Sequence, residues 1–204
     1  MKRKGSGMRR SVAVSSIFAL VLAFSAAAHA ANWKVDRSHT TVGFSVSHLF
    51  TSVQGRFDRF DGTIVFDPEK PESAIVRATV EAASINTNNT KRDKHLRSDD
   101  FFDVEKHPTA SFESTSGVTG MKGNSGKLAG NLTIHGVTKP VVFDVTFRGQ
   151  GKDPWGNVRA GFAASLNIDR RDYGLNWNEV LETGGLLVGE VVEIRIDAEG
   201  ILGE

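Results

Sequence analysis

Five histidines follow the first thirty residues, His39, His48, His95, His107 and His135, and the whole chain has no cysteine. Without thiols there can be no disulfide, no thiolate nucleophile, no Cys-held zinc and no iron–sulfur cluster. No two histidines show the spacing of a metal motif such as His-Glu-x-x-His, so no metal is expected. His95, His107 and His135 fall in expected loops or helix, where an exposed imidazole is ordinary. His48 shares the register of Phe44 and Val46 near a strand end and reads as a satisfied core histidine. The serines lack a Gly-x-Ser-x-Gly elbow. Asp99 and Asp100 are adjacent, so alternation sends their side chains apart, and no glycine-rich phosphate loop precedes a helix. No catalytic centre and no cofactor site emerges.

Charge offers two further candidates. Lys91, Arg92, Lys94 and Arg97 lie within one or two turns of an expected short helix. Guanidinium forks suit phosphate oxygens, so this run can meet an anionic head group. The plainer reading is a solvated helix face with Asp93 as internal partner. Glu190 shares the inward register of Val188 and Val192, and a buried carboxylate needs a partner such as Arg170 or Arg171.

The elements that must position these residues are strands. From Asn32 onward apolar residues recur with period two, the mark of half-buried strands. Phe44, Val46 and His48 alternate with Gly43, Ser45 and Ser47. Ala74, Val76, Ala78, Val80 and Ala82 form a second face, and Leu128, Leu132 and Ile134 a third. Val141, Phe143, Val145 and Phe147 come next, then Ala160, Phe162, Ala164, Leu166 and Ile168, then Val192, Ile194, Ile196 and Ala198. With short pieces at 56–60 and 109–114, about eight or nine antiparallel strands result. Turn residues at 123–126, 135–139 and 153–157 suit hairpins, and glycines inside strands (Gly43, Gly130, Gly161, Gly189) suit the bends of a closing sheet. Only Asn88 to Asp103 breaks the pattern, reading as a capped short helix followed by a Phe101-Phe102 turn. Eight strands close around either a filled core or one ligand, and the inward alanines leave both open.

The first thirty residues carry five basic groups and no acid, an apolar run from Val12 to Ala28 and the small-x-small site Ala28-His29-Ala30. This is the pattern of a cleaved secretory signal, with residues 31–204 as the exported domain. The run is short for a permanent span, so no stable membrane insertion is expected. Removing it leaves 20 basic against 24 acidic residues, a net charge of −4. A mildly acidic domain without a basic stripe is a poor nucleic-acid binder.

Several blocks resemble the YceI-like family of exported bacterial proteins. They are Val35-Asp36-Arg37-Ser38-His39 through Phe44-Ser45-Val46-Ser47-His48, Gly55-Arg56-Phe57, Arg92 through Asp103, Leu132-Thr133-Ile134-His135-Gly136-Val137-Thr138, Arg171-Asp172-Tyr173-Gly174 and Val188-Gly189-Glu190. Tyr173 stands where the family more often has Phe. The resemblance implies an all-β, extended antiparallel, lipocalin-like barrel with one short helix between strands. It further implies an apolar cavity for a polyisoprenoid chain and a periplasmic location, with some members tied to isoprenoid quinone handling or stress responses. The function expected is therefore non-enzymatic: sequestering or carrying a long-chain isoprenoid of polyprenyl diphosphate or quinone type. The expected lining is Phe44, Val46, His48, Val76, Val80, Arg92, Phe101, Phe102, Leu132, Ile134, Phe143, Val145, Phe162, Leu166, Val192 and Ile194. A rival reading is an enzyme acting on such a diphosphate or quinone through His48, Glu190 or the basic run. A third is a filled barrel acting through its surface as a homodimer.

Overall fold

The computed structural model describes residues 31–182 and 184–203; the expected leader, residues 1–30, lies outside them. Eleven strands form one antiparallel sheet: β1 (Ala31–Val35), β2 (Thr41–His48), β3 (Thr51–Phe57), β4 (Phe60–Phe66), β5 (Ile75–Glu81), β6 (Ile85–Asn86), β7 (Thr109–Lys122), β8 (Ser125–Ile134), β9 (Val137–Lys152), β10 (Val158–Asp169) and β11 (Val188–Leu202). The order β1-β4-β5-β7-β8-β9-β10-β11 closes on itself through β1 against β11.

The remaining three strands continue the first three of that ring. β11 pairs through residues 200–202 with β1 and through residues 188–197 with β2. Only Asp58 and Arg59 separate β3 from β4, and a 3-10 turn at Ala82–Ser84 separates β5 from β6. The eleven strands thus make eight staves of an antiparallel, lipocalin-like barrel, three of them interrupted side by side. Ser84 mends the interruption, its hydroxyl accepting from the Arg59 amide at 3.0 Å and donating to the Glu81 carbonyl at 2.7 Å.

Two details differ from the sequence reading. Ala74 and Ala82 fall just outside β5, Ala74 capping one 3-10 turn and Ala82 opening another, because that strand spans only 75–81. The expected piece at 109–114 is the start of a fourteen-residue strand, whose second half is hidden by polar residues and by ladder irregularities after Ser114 and after Thr119.

β7 begins at Thr109 opposite Glu81, so beyond that point the third stave is paired on its β3 side alone and has no strand partner on the other. The segment 87–108 enters there with α1 (Thr90–Arg97). Asn89 caps α1 by accepting from the Arg92 amide at 3.0 Å. Buried Asp93 accepts from the Thr87 amide at 2.8 Å and the Thr87 hydroxyl at 2.5 Å, so it locks the entry to the helix rather than partnering the basic run. Arg97 donates to the carbonyls of Ala83 (2.7 Å) and Ile85 (2.8 Å), tying the helix to the edge strand β6. Such side-chain caps satisfy carbonyls that no neighbouring strand reaches.

Buried residues gather in two clusters. Trp33, Phe66, Ala74, Val118, Leu128 and Ala160 form one. Leu132, Ile134, Tyr173 and Leu175 form the other.

Candidate ligand-binding cavity

The barrel interior holds a cavity of about 770 Å³, within the range of roughly 300–1,000 Å³ typical of small-molecule sites. Strand alternation builds its wall: Phe44, Val46 and His48 from β2, Val76, Ala78 and Val80 from β5, Leu132 and Ile134 from β8. Phe143 and Val145 of β9, Phe162 and Ala164 of β10, and Val192 and Ile194 of β11 complete it. Arg92, Phe101 and Phe102 reach it from the α1 segment. Leu166 is absent from this wall. Although it lies in register with Ala164 and Ile168, its side chain packs into the cluster of Leu132, Ile134, Tyr173 and Leu175. Glu190 also stays out of the cavity. The β2–β11 ladder is irregular between Val188 and Val192, and Glu190 pairs there with Arg171 at 2.6 Å. Arg171 also holds Asp169, drawing that carboxyl down to about 2.

Aromatic rings pack at both extremes. Phe66, Phe147 and Phe162 lie 5.1–5.7 Å apart, with Trp33 edge-on to Phe162 at 6.4 Å. Near α1, His95 stands edge-on to Phe101 (5.1 Å) and Trp177 (4.8 Å), and Phe101 and Trp177 are 5.2 Å apart. Such geometries add to area burial. Asp100 holds the His95 ring at 2.9 Å. Sequence patterning placed His95 among ordinary exposed histidines and gave no sign of Trp177, which lies in the non-periodic stretch after Leu175. A tryptophan flanked by Asn176 and Asn178 was the one available hint.

The wall is overwhelmingly apolar, and two of its arginines are held by the fold. Arg92 donates to the Thr87 hydroxyl (2.8 Å) and carbonyl (3.0 Å). Arg170, 4% exposed, donates to the carbonyls of Gly189 and Leu175. Burial lowers its pKa from the ordinary guanidinium value, with Asp169 and Glu190 opposing that shift. A wall of this composition retains apolar matter and offers few anchoring points.

A family model described as the YceI-like domain matches residues 33–200. A UPF0312 protein of Pseudomonas aeruginosa is 41% identical over 177 residues, covering 85% of this chain and 88% of its own. A solved YceI protein of Campylobacter jejuni superposes with a TM-score of 0.62 at 30% identity, over 74% of this chain and 86% of that one. A polyisoprenoid binding domain from Saccharophagus degradans shares the fold with a TM-score of 0.63 at 17% identity, over 86% and 100%.

Proposed function

The chain belongs to the YceI-like family, and from that premise and the cavity we propose that it binds a long-chain isoprenoid or similar amphipathic lipid. The observation that carries this reading is the 770 Å³ apolar cavity inside the closed barrel. Isoprenoid chains are nearly insoluble, and removing their apolar surface from water contributes roughly 25 cal/mol per Å². The Saccharophagus domain of the same fold, named for polyisoprenoid binding, supports this ligand class. Chain saturates the apolar wall, while a diphosphate or quinone head sits among the polar groups near α1. Binding is favoured over turnover because Glu190 is not among the residues lining the cavity with His48 and is occupied by Arg171. The leader at residues 1–30 supports export to the periplasm, where such a protein sequesters or carries lipid between membranes.

The test is mass spectrometry of lipid extracted from protein purified out of its native compartment, alongside the variant Ala78→Trp. Ala78 lines the cavity, so an indole there should fill open lumen and abolish lipid co-purification with stability retained, whereas a packed interior would lose the roughly 1–3 kcal/mol of overpacking. Undiminished lipid in the variant would refute an open lumen at that depth.

A further inference from the structure

We propose that Asp103, His107 and His135 form a binding site for one divalent transition-metal ion, outside the lipid cavity. Each offers one ligand atom, and the three atoms lie within 4.8 Å of one another. The histidine rings stand 4.5 Å apart at 68°. Metal bonds of about 2.0–2.2 Å let two ligand atoms share an ion when they are up to roughly 4 Å apart. Side-chain rotation of less than an ångström closes the difference.

The fold prepares these side chains in four ways. His135 Nδ1 lies 3.2 Å from the Tyr173 carbonyl oxygen. A carbonyl only accepts, so Nδ1 carries the proton and Nε2 keeps its lone pair. Metal-bound histidines are oriented in this manner, by donating the other ring N–H to a carbonyl or carboxylate. The Asp103 carbonyl accepts from the His107 amide at 2.8 Å, fixing those two residues relative to each other.

Gly136 supplies the third element. A β-carbon there would lie 2.7 Å from His107 Cε1 and 2.9 Å from Nδ1, so only glycine lets that ring edge settle against the turn. Nε2 is farther off, at 3.7 Å. The fourth element is backbone strain. His135 and Asp103 both have positive φ, 51° and 43°. His135-Gly136 is a two-residue hairpin turn with both φ positive, a place where Asn-Gly is the favoured pair. Left-handed conformation is unfavourable at a residue other than glycine and persists where the surroundings enforce it.

A second grouping, Asp36, His39 and Glu199, sets the contrast. There Arg159 already sits 2.7 Å from Asp36 and 2.5 Å from Glu199, and its charge occupies the place of a cation. At Asp103 the competitor is Lys106, 2.7 Å from Oδ2 and 73% exposed. Only the lysine end of this pair is exposed, while the Asp103 side chain is 15% exposed, so the flexible ammonium can swing out to solvent and leave the carboxylate to an ion. Two imidazoles and one carboxylate suit Zn²⁺ and its first-row neighbours, with open positions for water. Bound there, the ion fastens the turn after Phe102 to the turn after Ile134, two residues of the cavity wall.

The test uses the full chain, stripped with chelator and titrated with Co²⁺ by visible absorption and with Zn²⁺ by calorimetry. One ion per chain is expected. His135→Asn and Asp103→Asn keep a residue that tolerates positive φ, and each should weaken affinity at least about tenfold. His39→Gln should bind as wild type. Zinc should raise the melting temperature of the wild type and of His39→Gln but not of the other two variants, whose metal-free melting should match wild type. Absence of saturable binding, equal affinity in all proteins, or a loss in His39→Gln would overturn the assignment.

Discussion

The ring of Phe44 lies over Gly55, its partner on the facing strand. A β-carbon on Gly55 would fall 2.2 Å from Phe44 Cζ and 2.6 Å from Cε1. Phe112 covers Gly130 diagonally across β7 and β8, where Gly130 pairs with Ser114, and a β-carbon on Gly130 would fall 2.4 Å from the ring. Glycine lets each large ring lie along the wall instead of standing into the lumen. Space inside the barrel therefore rests on glycine seats under aromatic rings as well as on inward alanines.

Gly55→Ala should turn the Phe44 ring inward. Overpacking of this kind costs about 1–3 kcal/mol, readable as a lowered urea midpoint, and lipid uptake should fall with it. An unchanged midpoint together with unchanged uptake would show that the seat is dispensable.

Arg92 borders the cavity but spends two donors on Thr87. Arg92→Ala should lower stability by about 1–2 kcal/mol and weaken a diphosphate lipid and a neutral prenol by equal factors. Paired affinities at constant salt decide the matter. A loss confined to the charged ligand would assign Arg92 to the head group.

Tyr173 is the chain's single tyrosine, and its buried hydroxyl has no hydrogen-bond partner among the described residues. Burial, helped by Asp172, pushes the phenol up to about 12. Because the folded value lies above the unfolded value of about 10, stability should fall as pH rises through the interval between them. Tyr173→Phe should remove that alkaline sensitivity and be neutral or stabilising by up to about 1 kcal/mol. Alkaline absorbance titration reads this one phenol directly.

Arg159 joins Asp36 and Asp153 at 2.7 Å each and Glu199 at 2.5 Å, where β1 gives way to β2. Ser38, His39 and Arg159 hold the Asp36 carboxyl well below its usual range, and Arg159 with Asn157 does so for Asp153. Depressed carboxylates stabilise the fold above their unfolded value of about 3.9 and lose that contribution as pH falls below it. Acid unfolding should therefore steepen below about pH 4 in the wild type. Arg159→Met should be less stable at neutral pH, with a flatter acid limb; parallel acid limbs would refute this role.

The barrel was legible in the chain because one face of each stave must be apolar and the other wet, and period two records that directly. Phe44 through His48 and Val192 through Ala198 are clear examples. Leu166 shows the limit: alternation tells which face a residue takes but not whether its side chain borders the lumen, as Ala164 and Ile168 do, or packs into the cluster of Leu132, Ile134, Tyr173 and Leu175. Glu190 shows another, since an irregular ladder between Val188 and Val192 breaks the register that alternation assumes. Trp177 and the grouping of Asp103, His107 and His135 left no periodic trace, because turns far apart in sequence bring them together. For His135 the one available signal was an unusual residue before glycine in a tight turn.

The pairing of β1 with β11 also governs when the barrel can form. Trp33 faces Leu202 across that ladder, so almost the whole described chain lies between the two partners. Closing so long a loop is costly before any contact rewards it, which makes folding slow. β11 also completes the edges of β10 and β2. A chain still missing residues 188–202 leaves three strands with unpaired backbone, a template for aggregation. Assembly is therefore a late, all-or-none event, and the newly made protein needs protection until its final strand is available.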